Sequence, residues 1–128
     1  MHQSYEEKLK RREDFRVKYR FYTSDEGGRK TLPYQGYRSD FWYPHKEHKI
    51  DNIFMIWPEF EDEDGNIILD NEKPVGALGY TKMWIVNQTP YKKYHRGKIK
   101  VGTKGYFMEG PTRVAECEVI ELVGLLTG

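Results

Sequence analysis

Phe15-Arg16-Val17-Lys18-Tyr19-Arg20-Phe21 alternates apolar and basic residues without a break. A period of two places Phe15, Val17, Tyr19 and Phe21 on one face of an extended chain and the three cations on the other, as a half-buried strand requires. Asp25-Glu26-Gly27-Gly28-Arg29 then stops the pattern with paired glycines. Working outward, further short strand candidates lie at Phe41-Trp42-Tyr43, Ile53 to Trp57, Ile67 to Leu69 after the Asp64-Gly65 turn signal, Val75 to Val86, Lys98 to Val101 and Val114 to Leu122. Gly and Pro punctuate these runs, and no long segment shows helical periodicity. Many short strands with regular turns predict an all-β, antiparallel barrel or sandwich. Closure into a barrel is favoured because it hides strand edges.

The chain has 128 residues, enough for one domain with a buried core. Aromatic residues make up 15%, a load that a disordered chain lacks. The segment before Phe15 is polar and mixed in charge, with Glu6 and Glu7 each four residues ahead of Lys10 and Arg11. That spacing suits a turn or two of exposed helix, so residues 1–14 read as a polar arm and 15–128 as the domain. No apolar run resembles a signal peptide, and Ile53 to Trp57 is far too short to span a bilayer. The single Cys117 forms no intrachain disulfide, and the expected setting is the cytoplasm. Its place in an alternating strand between Glu116 and Glu118 predicts that it faces the core.

The net charge is +1, against bulk nucleic-acid coating, yet it sums two opposed blocks. Glu59, Glu61, Asp62, Glu63, Asp64, Asp70 and Glu72 surround one turn. Lys92, Lys93, Arg96, Lys98, Lys100 and Lys104 form an acid-free stretch with Tyr91, Tyr94, His95 and Tyr106. Lysine and arginine that contact phosphates, with tyrosines that stack on bases, would make this stretch an RNA or anion site. A lysine-rich exposed strand and loop is the alternative. The acidic block has EF-hand-like residues at Asp62, Asp64 and Gly65, but Phe60 and Asn71 stand where the anchoring carboxylates belong, which leaves a solvated hairpin. His45 and His48 lack the further ligands zinc needs, so no metal or other cofactor is expected. No G-x-x-x-x-G-K-[ST] occurs, which excludes a P-loop GTPase.

Asp25-Glu26-Gly27-Gly28-Arg29 with Gly36-Tyr37-Arg38 resembles the C-terminal β-barrel, the third domain, of elongation factor Tu, whose hallmark is an E-G-G-R turn followed by G-Y-R and an aromatic strand. Phe41-Trp42-Tyr43 matches that strand, and Met108-Glu109-Gly110-Pro111-Thr112-Arg113-Val114 looks like the family's closing hairpin. The matches bracket most of residues 15 to 122. The resemblance implies a six-stranded antiparallel Greek-key barrel, here as a stand-alone protein with an enlarged acidic hairpin. It also implies contact with the T-stem of aminoacyl-tRNA, with Glu109 in the place of a glutamate that faces the T-stem. Asp40 stands where the family has a glutamine that touches the RNA backbone, Pro111 replaces a glycine, and Thr112-Arg113 inverts the usual order. Gly27, Gly28 and Gly36 are read as barrel architecture, with Arg29 and Arg38 bracing neighbouring loops.

The leading expectation is therefore a non-catalytic, translation-linked binding module, without GTP, that binds tRNA-like RNA or a translation-factor surface. One alternative is a protein-partner inhibitor of the immunity type, with Glu61, Asp62, Glu63 and Asp64 facing a toxin or other basic partner. The other is a small-ligand barrel or enzyme, with the aromatics, His45, His48 and Glu109 lining one pocket.

Overall fold

The computed structural model describes residues 1–48 and 53–126, so the last two residues of the predicted domain lie outside the described residues. The chain runs through α1 (Tyr5–Leu9), β1 (Phe15–Phe21), β2 (Asp40–Trp42), β3 (Ile56–Phe60), β4 (Leu78–Ile85), α2 (Gln88–His95), β5 (Lys104–Glu109) and β6 (Thr112–Leu122). The six strands form one sheet in the order β2-β5-β6-β1-β4-β3. Every pairing is antiparallel. The sheet curls into a half-barrel, and its two edges meet at a bridge where Phe41 and Phe54 exchange backbone hydrogen bonds of 2.9 and 2.8 Å.

The alternating strand sits where the sequence pattern demands, between β4 and β6 near the centre of the sheet. Phe15, Val17, Tyr19 and Phe21 are buried in the core with Phe41, Phe60, Met83, Phe107, Val114 and Val119. On the outer face the cations of β1 lie opposite glutamates of β6. Arg16 meets Glu121 at 3.0 Å, Arg20 meets Glu116 at 3.1 Å, and Lys18 registers with Glu118. Cross-strand pairs of this kind supply a few tenths of a kcal/mol each, about 0.2–1. They also leave this wall of the barrel close to neutral. Cys117 faces the core as expected, and burial pushes its thiol up. Register shifts between Arg16 and Val17 and between Phe107 and Met108 bend the eleven-residue β6, which lets one strand span the curl. Pro58 is tolerated in β3 because β3 is an edge strand.

Three expectations need correction. Lys98 to Val101 is a turn carrying a single Arg96–Ile99 bridge, because Ile99 alone is buried there and its neighbours have no strand to pair with. Ile67 makes one bridge to Glu61, and no strand runs to Leu69. The front of the basic stretch is a helix: Asn87 stands at the N-cap, Pro90 falls in the first turn where the N–H is unpaired anyway, and Lys92, Lys93 and His95 fill the last turn. Tyr91, Tyr94 and His95 recur at helical spacing, the stripe that turns α2 onto the barrel. No helix among the described residues is long and apolar enough to cross a membrane.

The polar arm contains a helical turn, as its spacing predicts, with Ser4 accepting a hydrogen bond from the Glu7 amide. The i,i+4 pairs do not carry it: the helix ends at Leu9, and Lys10 adopts a left-handed backbone. The arm is instead fastened to the barrel by buried carboxylates. Glu59 of β3 accepts from His2 Nε2 at 2.6 Å, the Tyr5 amide at 2.8 Å and Trp84 Nε1 at 3.1 Å. Asp14 accepts from the Ile85 amide at 2.7 Å and from Arg11 at 3.1 Å. Replacing Glu59 with Ala leaves three buried donors unpaired, each costing about 1–3 kcal/mol. Urea melts of Glu59→Ala should therefore show a loss of roughly 3 kcal/mol, with hydrogen exchange at the Tyr5 amide accelerated well beyond the global change. Unchanged protection at Tyr5 would show that the arm is held by something else.

Candidate functional site

The residues that carry the motif resemblance gather at one end of the barrel. Arg29, from the turn after β1, pairs with Glu109 at the end of β5, and the Tyr37 hydroxyl donates to the same carboxylate oxygen. The Arg29 guanidinium also lies 5.1 Å from the centre of the Tyr37 ring and donates to the Thr31 carbonyl at 3.0 Å. Burial and the neighbouring Glu109 both raise the Tyr37 phenol pKa, so the hydroxyl stays a donor. Glu26 turns inward to its own loop: Thr23 and Glu26 form a capping box, and Arg20 grips the carboxylate at 2.9 Å. These contacts hold its carboxyl down at about 2, with the Arg20 hydrogen bond the largest cause.

Two glycines of the motif have backbone reasons to be there. A Cβ on Gly28 would run into the Tyr22 carbonyl, and Gly110 has φ +58° in the two-residue turn between β5 and β6. Pro111 fixes a negative φ at the second position, so the turn is of the primed type that needs positive φ only at its first residue, Gly110. Gly27 and Gly36 likewise sit in the loops beyond β1, in keeping with an architectural role. Arg38 departs from the cluster: its guanidinium lies 4.5 Å above the Trp57 ring. Asp40 is partly buried at the start of β2, where desolvation raises its carboxyl.

The acidic and basic blocks lie at opposite ends of β4. The acidic hairpin leaves β3 beside the start of β4, while α2 follows the end of β4. Within the hairpin, Glu61 is not available to a partner. It is buried and held by both Arg16 Nε and Nη2 at 2.9 and 2.8 Å, a bidentate ion pair inside the wall. One Asp62 oxygen accepts the Asp64 and Asn66 amides at 2.9 and 3.0 Å and shapes the turn. Glu63 and Asp64 remain exposed.

The basic stretch also divides. Lys98 donates to the Tyr94 carbonyl and pairs with Glu47 at 3.3 Å, and Lys104 pairs with Glu118 on the next strand. Arg96 donates to the Leu125 carbonyl at 2.9 Å. Among the described residues, the side chains of Lys92, Lys93 and Lys100 form neither hydrogen bonds nor ion pairs, and the ring of Tyr91 is exposed beside them. Tyr94 turns inward instead, stacking on His48 and packing at a tilt against Phe54.

An aromatic cluster under α2 was not legible as a unit in the sequence. Tyr43, His48, Phe54, Tyr94 and His95 pack ring against ring, with Tyr43 and Phe54 5.9 Å apart and Phe54 and His95 4.6 Å apart. His45 joins at the edge, 5.3 Å from His48. Glu109 does not line this pocket, which corrects the grouping of His45, His48 and Glu109, because Glu109 is committed to Arg29 at the far end of β5. Two hydrogen bonds order the histidines: His48 Nδ1 lies 2.9 Å from the Tyr43 carbonyl and His95 Nδ1 lies 2.6 Å from the Tyr43 hydroxyl. Nε2 of both rings is buried and has no partner among the described residues. The signal that could have found this cluster is the Tyr91, Tyr94, His95 stripe, since it places three rings on one face of a helix.

The chain matches no protein-family model and no curated protein. Among the described residues no group of three His, Cys, Asp or Glu side chains is arranged to hold a metal ion.

Burial, reinforced by His48 and Lys98, depresses the His95 pKa from 6.5 to about 4. The unfolded chain therefore binds a proton that the folded one refuses, so the stabilising contribution is full above pH 6.5 and is lost as the pH falls toward 4. Unfolding free energy should fall by up to about 1.4 kcal/mol per pH unit over that window from this group alone. An NMR titration checks it directly: the His95 ring should stay neutral at pH 5.5, and a midpoint near 6.5 would refute the buried neutral form.

Proposed function

We propose that this chain is a non-catalytic binding module on a barrel of the elongation factor Tu third-domain type, and that it binds RNA through the end of the barrel formed by α2 and the following turn. The observation that carries the reading is the contrast in charge pairing. The outward cations Arg16, Arg20 and Lys104 are each matched by a glutamate, whereas Lys92, Lys93 and Lys100 have no ion-pair partner among the described residues. Unmatched lysines beside an exposed tyrosine are what a phosphate backbone with stackable bases requires. Convergence of Arg29, Tyr37 and Glu109 supports the family reading, since the two motifs that carry the resemblance meet in one cluster. A translation-linked role in the cytoplasm follows from that reading. A second reading is kept by the other end of β4, where exposed Glu63 and Asp64 suit a basic protein partner.

Binding of unmodified tRNA should weaken steeply between roughly 50 and 200 mM salt. The double substitution Lys92→Ala, Lys93→Ala should lower the salt slope by about 1.5, as expected for two lost phosphate contacts. Filter binding across a salt series reads both quantities. Salt-independent binding, or a slope that the double variant leaves unchanged, would rule out the basic end as the RNA site.

A further inference from the structure

Beside the aromatic cluster lies a cavity of about 410 Å³ lined by Ile53, Phe54, Met55, Ile56, Ile85, Asn87, Tyr91 and His95. That volume lies within the usual range for small-molecule sites, and an apolar lining with few polar groups is their usual character. The rim is apolar and open to solvent: Met55 is 53% exposed and Tyr91 42%. Asn87, at the N-cap of α2, makes no side-chain capping hydrogen bond, which leaves its amide at the cavity wall without that duty.

The chemistry of the occupant follows from the hydrogen bonds of His95. Its ring is wholly buried, and Tyr43, also wholly buried, offers its hydroxyl to His95 Nδ1 at 2.6 Å. That nitrogen is the only acceptor in reach of the Tyr43 hydroxyl among the described residues. A buried hydroxyl proton left unpaired is costly, so the phenol donates and Nδ1 accepts. In a neutral imidazole the proton then sits on Nε2, and burial keeps the ring neutral at pH 7. His95 thus contributes a buried N–H that no group among the described residues accepts. Buried donors of this kind are rare in folded proteins and call for a partner.

We propose that this cavity is a binding site for a small, planar, mostly apolar molecule carrying a carbonyl or carboxylate oxygen, whose entry shifts the rings that cover His95 so that the oxygen accepts the Nε2 hydrogen while the ligand ring lies among Phe54, Tyr91 and the isoleucines. Tyr43 is the positioning residue: it sets the tautomer of His95 and so decides that the site donates rather than accepts. The inference stands on the cavity alone. It does not depend on RNA binding at Lys92 and Lys93, so either reading can fail without the other.

The test uses the full chain with benzamide, benzoate and toluene as probes, followed by NMR of the His95 ring nitrogens and the methyl groups of Ile53, Met55, Ile56 and Ile85. In the free protein the His95 ring should show the Nε2–H tautomer. Benzamide, benzoate or both should shift these signals and bind about tenfold more tightly than toluene, the advantage of one hydrogen bond. Comparison of the two tells a carbonyl from a carboxylate. His95→Phe should erase the advantage over toluene. Because that change also strips Tyr43 of its acceptor, Met55→Asp on the exposed rim provides a second variant that leaves the core intact, and it should weaken every probe by at least about tenfold by placing an ion against an apolar ligand. The proposal is overturned by an Nδ1–H tautomer, by toluene binding as tightly as benzamide and benzoate, by shifts centred elsewhere, or by no shifts at millimolar probe.

Discussion

The structure depends on one constraint: β1 must bury four large side chains on one face while carrying three cations on the other. The buried face requires a partner surface on the concave side of the sheet, and curling supplies it, since Phe41, Phe60, Phe107 and Val119 then converge on the same interior. The cationic face needs compensation in the same wall, and β6 supplies it with Glu116, Glu118 and Glu121 facing β1. Arg16 shows how far this goes. It holds Glu121 on one side and Glu61 on the other, tying β6 to the root of the acidic hairpin. The acidic block therefore begins as part of the barrel, and only its tip is surface.

Buried charge plays a different part at the other side of the sheet. Glu59 and Asp14 are both buried, and each takes hydrogen bonds from backbone amides as well as side chains. Burying a carboxylate is costly unless such donors surround it. Here the donors come from segments far apart in sequence, so the carboxylates define where the first fourteen residues lie. A segment that reads as polar and exposed becomes part of the folded unit through two acids.

Legibility followed the range of the interactions involved. β1, β2 and the β6 alternation were readable because period-two patterning is local, and the Gly110-Pro111 turn was marked by its residue types. The helix α2 is hard to read locally because only Tyr91, Tyr94 and His95 carry its period, over barely two turns, and its lysines suit an exposed strand equally well. Within the candidate sites, Lys93 is exposed and Lys92 half-buried, both without an ion-pair partner among the described residues, while Lys98, Lys104 and Glu61 are paired. Nothing local distinguishes a lysine with a cross-strand glutamate from one without.

The amino-acid sequence alone determined the mainly β, antiparallel character, the inward set of β1, the core position of Cys117 and the separation of charge into two blocks, because each depends on neighbours within a few residues. Tertiary structure alone decided which charges are spent inside the molecule, that Arg29, Tyr37 and Glu109 meet, and that Tyr43 and His95 share a buried hydrogen bond beside a cavity. Those are contacts between segments tens of residues apart, set by strand order and curl.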